Sequence, residues 1–225
     1  MRAEIEIRGA GPVGCVLALA LSRSARPVVL VENQRVSNSF RPVALSHASR
    51  LILERVGVWE TLAPTAIDQI HVSQQGAFGR VRLTAAEAGV PALGYVADYA
   101  SLLEHLLARV EACRTRKESE PGEARLVVHA EGFSEDAKEE RYPHDALVAL
   151  IDADPRAGGT AWERFTPEGP LALLPLAGRY GLVWGMNPER ARTLTHAPVG
   201  EFLAALQEGF GGRAGQFTGD RKSVV

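Results

Sequence analysis

Two hydrophobic periods succeed one another along this chain. Residues 3–7 form a short apolar-rich run that predicts a buried strand, and it leads directly into Gly9-Ala10-Gly11-Pro12-Val13-Gly14. Val13, Val16, Leu17, Ala20 and Leu21 then recur at i, i+3, i+4, i+7 and i+8, which is one apolar face of a helix. Residues 28–31 predict a second strand, entered through Arg26-Pro27 and closed by Glu32. Further on, Ser46 can cap a helix whose apolar positions are Leu51, Ile52 and Val56 and whose stop is Gly57. Val58 and Trp59 re-enter the core. Residues 67–73 and 81–83 predict short strands around the hairpin-type loop Gln74-Gln75-Gly76-Ala77-Phe78-Gly79. Asp98 can cap a helix bearing the stripe Leu102, Leu103, Leu106, Leu107 and Val110, which is core packing.

The second half reads differently. Residues 114–123 predict a charged, structureless link, and residues 126–128 a short strand running into Ala130-Glu131-Gly132. After a second charged stretch at 135–141, residues 146–151, 161–165, 171–174 and 180–184 predict strands separated by Gly, Pro and Asp turns. That is antiparallel sheet material, distinct from the α/β start. Residues 201–208 predict a last amphipathic helix with Phe202, Leu203 and Leu206 inward and Gly209 at its end.

The opening unit carries the candidate chemistry. Gly9 permits the tight turn, Gly11 lets backbone approach a pyrophosphate, and Gly14 lets the helix pack on the strand. Pro12 and Val13 open the helix, so phosphates would meet free N–H groups at its positive end. Glu32, about 20 residues beyond the glycines, is placed to accept hydrogen bonds from a ribose 2′-hydroxyl and disfavours a 2′-phosphate there. The site therefore suits the ADP half of FAD or NAD and suits NADP poorly. Arg2 and Arg8 ahead of an apolar run resemble a signal peptide, but Glu4 and Glu6 and a run of only about nine residues argue against that and against a membrane span.

Composition narrows the alternatives. A net charge of −2 over 225 residues, with no basic cluster, gives no footprint for nucleic acid. Cys15 and Cys113, far apart and inside predicted helices, fit packing residues of a reduced cytoplasmic protein. The six histidines show no metal-ligand spacing, so no metal site is expected, and there is no G-x-S-x-G nucleophile elbow. No residue stands out as a general acid or base, and none is named catalytic. The polar stretch 33–42 carries Arg35 and Arg41, and Arg41 has two readings: a guanidinium turned onto a cofactor pyrophosphate or a solvated loop charge.

Several separated stretches resemble one family, the flavin-dependent aromatic hydroxylases related to p-hydroxybenzoate hydroxylase, and within it the ubiquinone-biosynthesis hydroxylases of the UbiH and UbiF type. They are GAGPVGCVLALALSRSARPVVLVE at 9–32, RPVALSHASRLILERVGVWETL at 41–62, and IDQIHVSQQGAFGRVRLTAAEAGVPALGYV at 67–96. RLVVHAEG at 125–132, WERFTPEGPLALLPL at 162–176, YGLVWGMNPE at 180–189 and EFLAALQEGFGGRAGQF at 201–217 continue the likeness. The IHVSQQGAFG and TPEGPLALLPL signatures are more specific than the glycine motif.

The resemblance implies an α/β fold in which a Rossmann-like FAD-binding βαβ domain (1–66 and 97–134) is interleaved with a mainly antiparallel substrate-domain sheet (67–96 and 135–225, with a terminal helix). It implies FAD at Gly9, Gly11, Pro12, Val13, Gly14 and Glu32, moves Arg41 to the cofactor side, and sets Glu131-Gly132 where the family has Asp-Gly. It implies a monooxygenase that uses NAD(P)H and O2 to hydroxylate a phenolic, ubiquinone-precursor-like ring. A prenylated substrate would bring peripheral membrane contact, although no basic amphipathic helix supports it. A sheet left uncovered would favour homo-oligomer contact.

Departures accompany the likeness. Acids follow Ser134 where the family has an arginine, and only the charged link stands where further strands are usual. The family's second flavin motif is missing: Gly219-Asp220 is followed by Arg221-Lys222, and the sequence is expected to stop just short of that motif. The alternative is a truncated, non-catalytic nucleotide-binding relative, or a fragment that needs a partner.

Overall fold

The computed structural model describes residues 3–24, 26–31, 40–112, 116–118, 124–132, 138, 140 and 142–224. In chain order the elements begin with β1 (Ala3–Arg8), α1 (Pro12–Leu21), β2 (Val28–Val31), β3 (Pro42–Leu45), α2 (His47–Arg55) and α3 (Trp59–Leu62). They continue with β4 (Thr65–Ile67), β5 (Gln69–Gln74), β6 (Arg80–Thr84), α4 (Ala85–Ala88), β7 (Gly94–Asp98), α5 (Tyr99–Ala112), β8 (Arg116–Glu118) and β9 (Ala124–His129). The rest is β10 (Asp145–Asp154), β11 (Thr160–Thr166), β12 (Gly169–Leu176), β13 (Arg179–Met186), α6 (Pro188–His196), α7 (Val199–Phe210) and β14 (Gln216–Val224).

The chain divides into two compact units. The first comprises 1–38, 48–63 and 100–140, and the second 39–47, 64–99 and 141–225. In the first, β8, β2, β1 and β9 form a parallel four-stranded sheet in that order. Ile5, Ile7, Leu30, Leu106 and Val110 are buried in this unit, as are Cys15 and Ala18 on α1. Only β2 is a continuous apolar run, as a strand buried on both faces requires, whereas β1 alternates Ile5 and Ile7 with Glu4, Glu6 and Arg8 and the edge strand β9 leaves Leu126 exposed.

The second unit is built on a seven-stranded sheet of order β14-β10-β13-β12-β11-β5-β6 and a three-stranded sheet of order β3-β7-β4. Most of the seven strands pair antiparallel, but β11 and β5 run parallel. Alternation along β10, β12 and β13 sends Leu147, Ala149, Ile151, Leu171, Leu173, Leu182 and Trp184 to one face. There Phe202, Leu206 and Phe210 of α7 and Ala191 and Leu194 of α6 complete a single apolar core.

The mixed α/β class with a parallel sheet and a larger, mainly antiparallel one is as the sequence implies, and several local expectations need correction. The expected structureless link contains β8, an edge strand on β2 with no apolar signal in Arg-Lys-Glu. On α2, Leu51 and Ile52 are exposed, while Leu53 and Val56 are buried. The last helix does not end at Gly209: it continues so that Phe210 reaches the core, and Gly211, at φ +76°, follows it. Gly209 instead lies where a Cβ would sit 3.4–3.5 Å from Leu171 and Trp184. The stop at Gly57 holds, with φ +75° and its N–H donated to the Glu54 carbonyl.

Candidate functional site

The ends of three strands meet at the glycine turn. Gly9 N–H donates to Val31 O (3.0 Å) and Ala130 N–H donates to Arg8 O (2.8 Å), so β1, β2 and β9 deliver their C-terminal ends to one place. Gly9 has φ +102°, and a Cβ there would lie 2.6 Å from the Ala130 carbonyl and 2.7 Å from Glu131 N. At Gly14 a Cβ would collide with the Gly9 carbonyl oxygen. Both positions exclude a side chain because backbone occupies its space.

Gly11 caps α1 in an extended conformation without a side-chain hydrogen bond, Pro12 occupies the start of the helix, and the first turn holds no acid. Val13 is 73% exposed, so the helix opens outward at this end. First-turn N–H groups with no side-chain acceptor, at the positive end of a ten-residue helix, are what a pyrophosphate requires. Residues Gly9, Gly11, Pro12, Val13, Gly14 and Glu131 therefore share one end of the parallel sheet. The Glu131 carboxylate sits 3.2 Å from His129 Nδ1, and Gly132, at φ +73°, has open space around it.

Glu32 lies outside the described residues, as do Arg35 and Cys113. Arg41 belongs to the second unit, where its guanidinium lies 4.2 Å from the Tyr99 ring centroid. Its N–H donates to Asp98 Oδ1 (3.2 Å) and its carbonyl accepts from Tyr99 N–H (2.9 Å). Among the described residues no group of His, Cys, Asp and Glu could hold a metal.

Sequence reading missed one acid. The register places Glu163 beside Val72 and Ala172, on the sheet face opposite the core of α6 and α7. Burial pushes its carboxyl above the ordinary 4.5. Glu163 has no hydrogen-bond or ion-pair partner among the described residues. The available signal was the alternation in Trp162-Glu163-Arg164, which separates Glu163 from both neighbours.

The architecture recurs in solved flavoproteins. The structure of Pseudomonas aeruginosa PqsL in complex with 2-aminobenzoylacetate matches 100% of this chain and 73% of that one, with a TM-score of 0.76 at 19% identity. Another PqsL structure describes it as a probable FAD-dependent monooxygenase. The p-nitrophenol 4-monooxygenase PnpA of Pseudomonas putida matches with a TM-score of 0.68 at 15% identity, over 100% of this chain and 68% of its own. The chain shares its fold with these proteins.

The sequence relatives are more particular, and several of them are ubiquinone hydroxylases. It is 26% identical over 255 residues to the 3-demethoxyubiquinol 3-hydroxylase of Escherichia coli K12, covering 96% of this chain and 65% of the relative. Against ubiquinone hydroxylase UbiL of Rhodospirillum rubrum the identity is 28% over 252 residues, covering 95% and 58%. For the Drosophila melanogaster ubiquinone biosynthesis monooxygenase COQ6 it is 24% over 265 residues, covering 92% and 54%. The chain thus spans between half and two-thirds of the length of these relatives. No protein-family model matches it.

Proposed function

We propose that the chain binds FAD at the glycine turn and serves the hydroxylation of a phenolic ring of the kind a ubiquinone precursor carries, with NAD(P)H as reductant and O2 as oxygen source. The observation that carries this reading is the backbone cradle at Gly9–Gly14. Two strand ends and a helix start approach so closely that side chains are excluded, and N–H groups remain for phosphate. The ubiquinone hydroxylase homologues supply the chemistry.

In this reading Gly11, Pro12, Val13 and Gly14 hold the pyrophosphate through backbone at the α1 start, and Glu32 accepts from the ribose. Arg41 offers a cation to the phosphates, and Glu131-Gly132 closes the far side of the turn. Bound FAD supplies oxygen activation and delivery to an electron-rich ring, chemistry that no side chain can perform. The protein's part is to hold the ring, exclude water and manage the phenol proton. A cytoplasmic setting is in keeping with Cys15 as a buried free thiol.

The test is an absorbance spectrum of the protein after incubation with FAD and desalting, followed by anaerobic NADH. A retained flavin band that bleaches supports the proposal and makes hydroxylation of prenylated and unprenylated phenols the next measurement. Loss of all flavin on the column would rule out an active flavoenzyme and leave a nucleotide-binding relative or a fragment that needs a partner.

A further inference from the structure

A second cluster of chemistry lies in the second unit, on the core-bearing face of the seven-stranded sheet. The β5–β11 register sets Trp162 beside His71 and Arg164 beside Ser73, and the β5–β6 register sets His71 opposite Arg82 and Ser73 opposite Arg80. Paired residues share a face. Two rows of three result: Trp162–His71–Arg82 and Arg164–Ser73–Arg80. Arg213, in the turn after α7, presses electrostatically on both His71 and Arg164.

The arginines of this cluster differ from others in the molecule. Arg8, Arg26, Arg50, Arg179 and Arg190 each meet a carboxylate at 2.6–2.9 Å. Among the described residues no carboxylate pairs with Arg80, Arg82, Arg164 or Arg213. Four arginines gathered on one face repel one another and call for a counter-charge.

The centre of the cluster is built rather than loose. Arg164 is half-buried and fixed by two donations, Nε to Gly209 O (2.9 Å) and Nη1 to Ser73 Oγ (3.4 Å), and among the described residues nothing partners its Nη2. Such a fixed guanidinium is preorganised for a planar oxyanion contact. His71 is only 8% exposed, with its ring 4.9 Å from Trp162, and among the described residues nothing partners its buried Nδ1. Orphaned buried polar atoms of this kind call for a missing partner. Burial, then the charges of Arg213 and Arg80, hold the imidazole below its ordinary 6.5, as expected beside cations that lack an anion.

We propose that this cluster binds a phosphate-class oxyanion, inorganic phosphate or a phosphomonoester, held by Arg164, Arg80, Arg213 and Ser73 with His71 as an inner donor. Its innermost donors are recessed, and Arg80, Arg82 and Arg213 form an exposed rim. That suits a compact anion entering between the rows better than an extended acidic chain lying across them. The proposal does not depend on the flavin reading.

The test uses the full chain. Thermal unfolding and 31P NMR are followed while inorganic phosphate, and separately phenyl phosphate, is titrated against sodium chloride at matched ionic strength. The expected result is a saturable rise in Tm and phosphate line broadening that chloride does not give. Arg80→Gln and Arg213→Gln, both at exposed positions, should each weaken binding about tenfold, the worth of one charge-assisted hydrogen bond. Arg192→Gln, an exposed arginine on α6, should change nothing. Far-UV circular dichroism confirms that the variants are folded. Equal effects of phosphate and chloride, or a phosphate effect unchanged in the Arg80/Arg213 double variant, would overturn the proposal. Flotation with vesicles of phosphatidylglycerol and phosphatidylcholine separates a free anion from lipid phosphate. Vesicle binding that needs Arg80 and Arg213, without any response to soluble phosphate, would replace the site with a membrane-facing surface.

Discussion

The two sheets solve opposite problems. The parallel sheet of the first unit brings backbone to a point, so its decisive residues are glycines, and their defining property is the side chain they lack. The seven-stranded sheet of the second unit brings side chains to a plane. Its decisive residues are placed by register, from strands far apart in sequence. A backbone site tolerates almost no substitution at its glycines. A register-built site tolerates exchange of a single side chain and fails when the sheet beneath it shifts.

The sharpest way to separate the two is to damage one core. Phe202→Ala, which empties a fully buried position beneath α7, should cost the second unit about 3–5 kcal/mol in urea unfolding. Trp162 and Trp184 should report the loss by fluorescence, and Trp59, in the first unit, provides the contrast. Next in size, Gly9→Ala places a Cβ against the Ala130 carbonyl at a left-handed φ, a strain of about 1–3 kcal/mol before the overlap is counted. FAD or ADP retention should disappear while phosphate binding at the arginine cluster persists. If nucleotide retention survives, the cradle is not the site.

A smaller effect is expected at Gln207. Its Nε2 donates to Gly211 O and Gly215 O, and its Oε1 accepts from Phe217 N–H, which ties the turn after α7 to β14. Gln207→Ala should cost about 1–3 kcal/mol through the backbone groups it strands, measured by chemical denaturation. Since Arg213 lies in that turn, phosphate binding should weaken as well.

The gentlest probe is pH. Glu163 has a raised folded-state pKa, so below the ordinary 4.5 both folded and unfolded chains carry the proton and no penalty arises. As pH climbs from 4.5 through the folded value, the unfolded chain ionises first and stability falls, and above that value the loss is constant. Glu163→Gln should therefore stabilise the protein at pH 7 relative to pH 4, read as a difference in Tm. No such difference would mean that the carboxylate is solvated.

What could be read from sequence follows the same division. The turn, α1 and β2 were legible as elements because every constraint on them is local, glycines at fixed spacing and then apolar runs, but the buried face of α1 was not: Val13 and Ala20 of the expected stripe are exposed, and Gly14, Cys15, Ala18 and Leu19 are buried instead. The strands β10 to β13 announced themselves by alternation. Arg116–Glu118 carries no apolar residue, and α6 buries little beyond Ala191 and Leu194, so neither has a pattern to find. In β14, Gly-Asp-Arg-Lys looks like a turn and becomes strand only because β10 supplies its ladder. The arginine cluster was invisible for a related reason. Its members look like ordinary surface charges until two pairings bring them to one face.

The parallel pairing of β5 with β11 has a consequence in time as well as in space. Ser73 and Arg164 meet across 91 positions of chain, whereas β5 and β6 close through a short hairpin. Loop closure makes so distant a junction slow, so the hairpin should wait in the folding reaction for the larger block to arrive. Contacts that form after the rate-limiting step govern how fast a protein comes apart, not how fast it assembles. The arginine rows straddle this seam. An anion lodged between them would act as a clasp on the last part of the sheet to close, lengthening the life of the folded state without hastening its arrival.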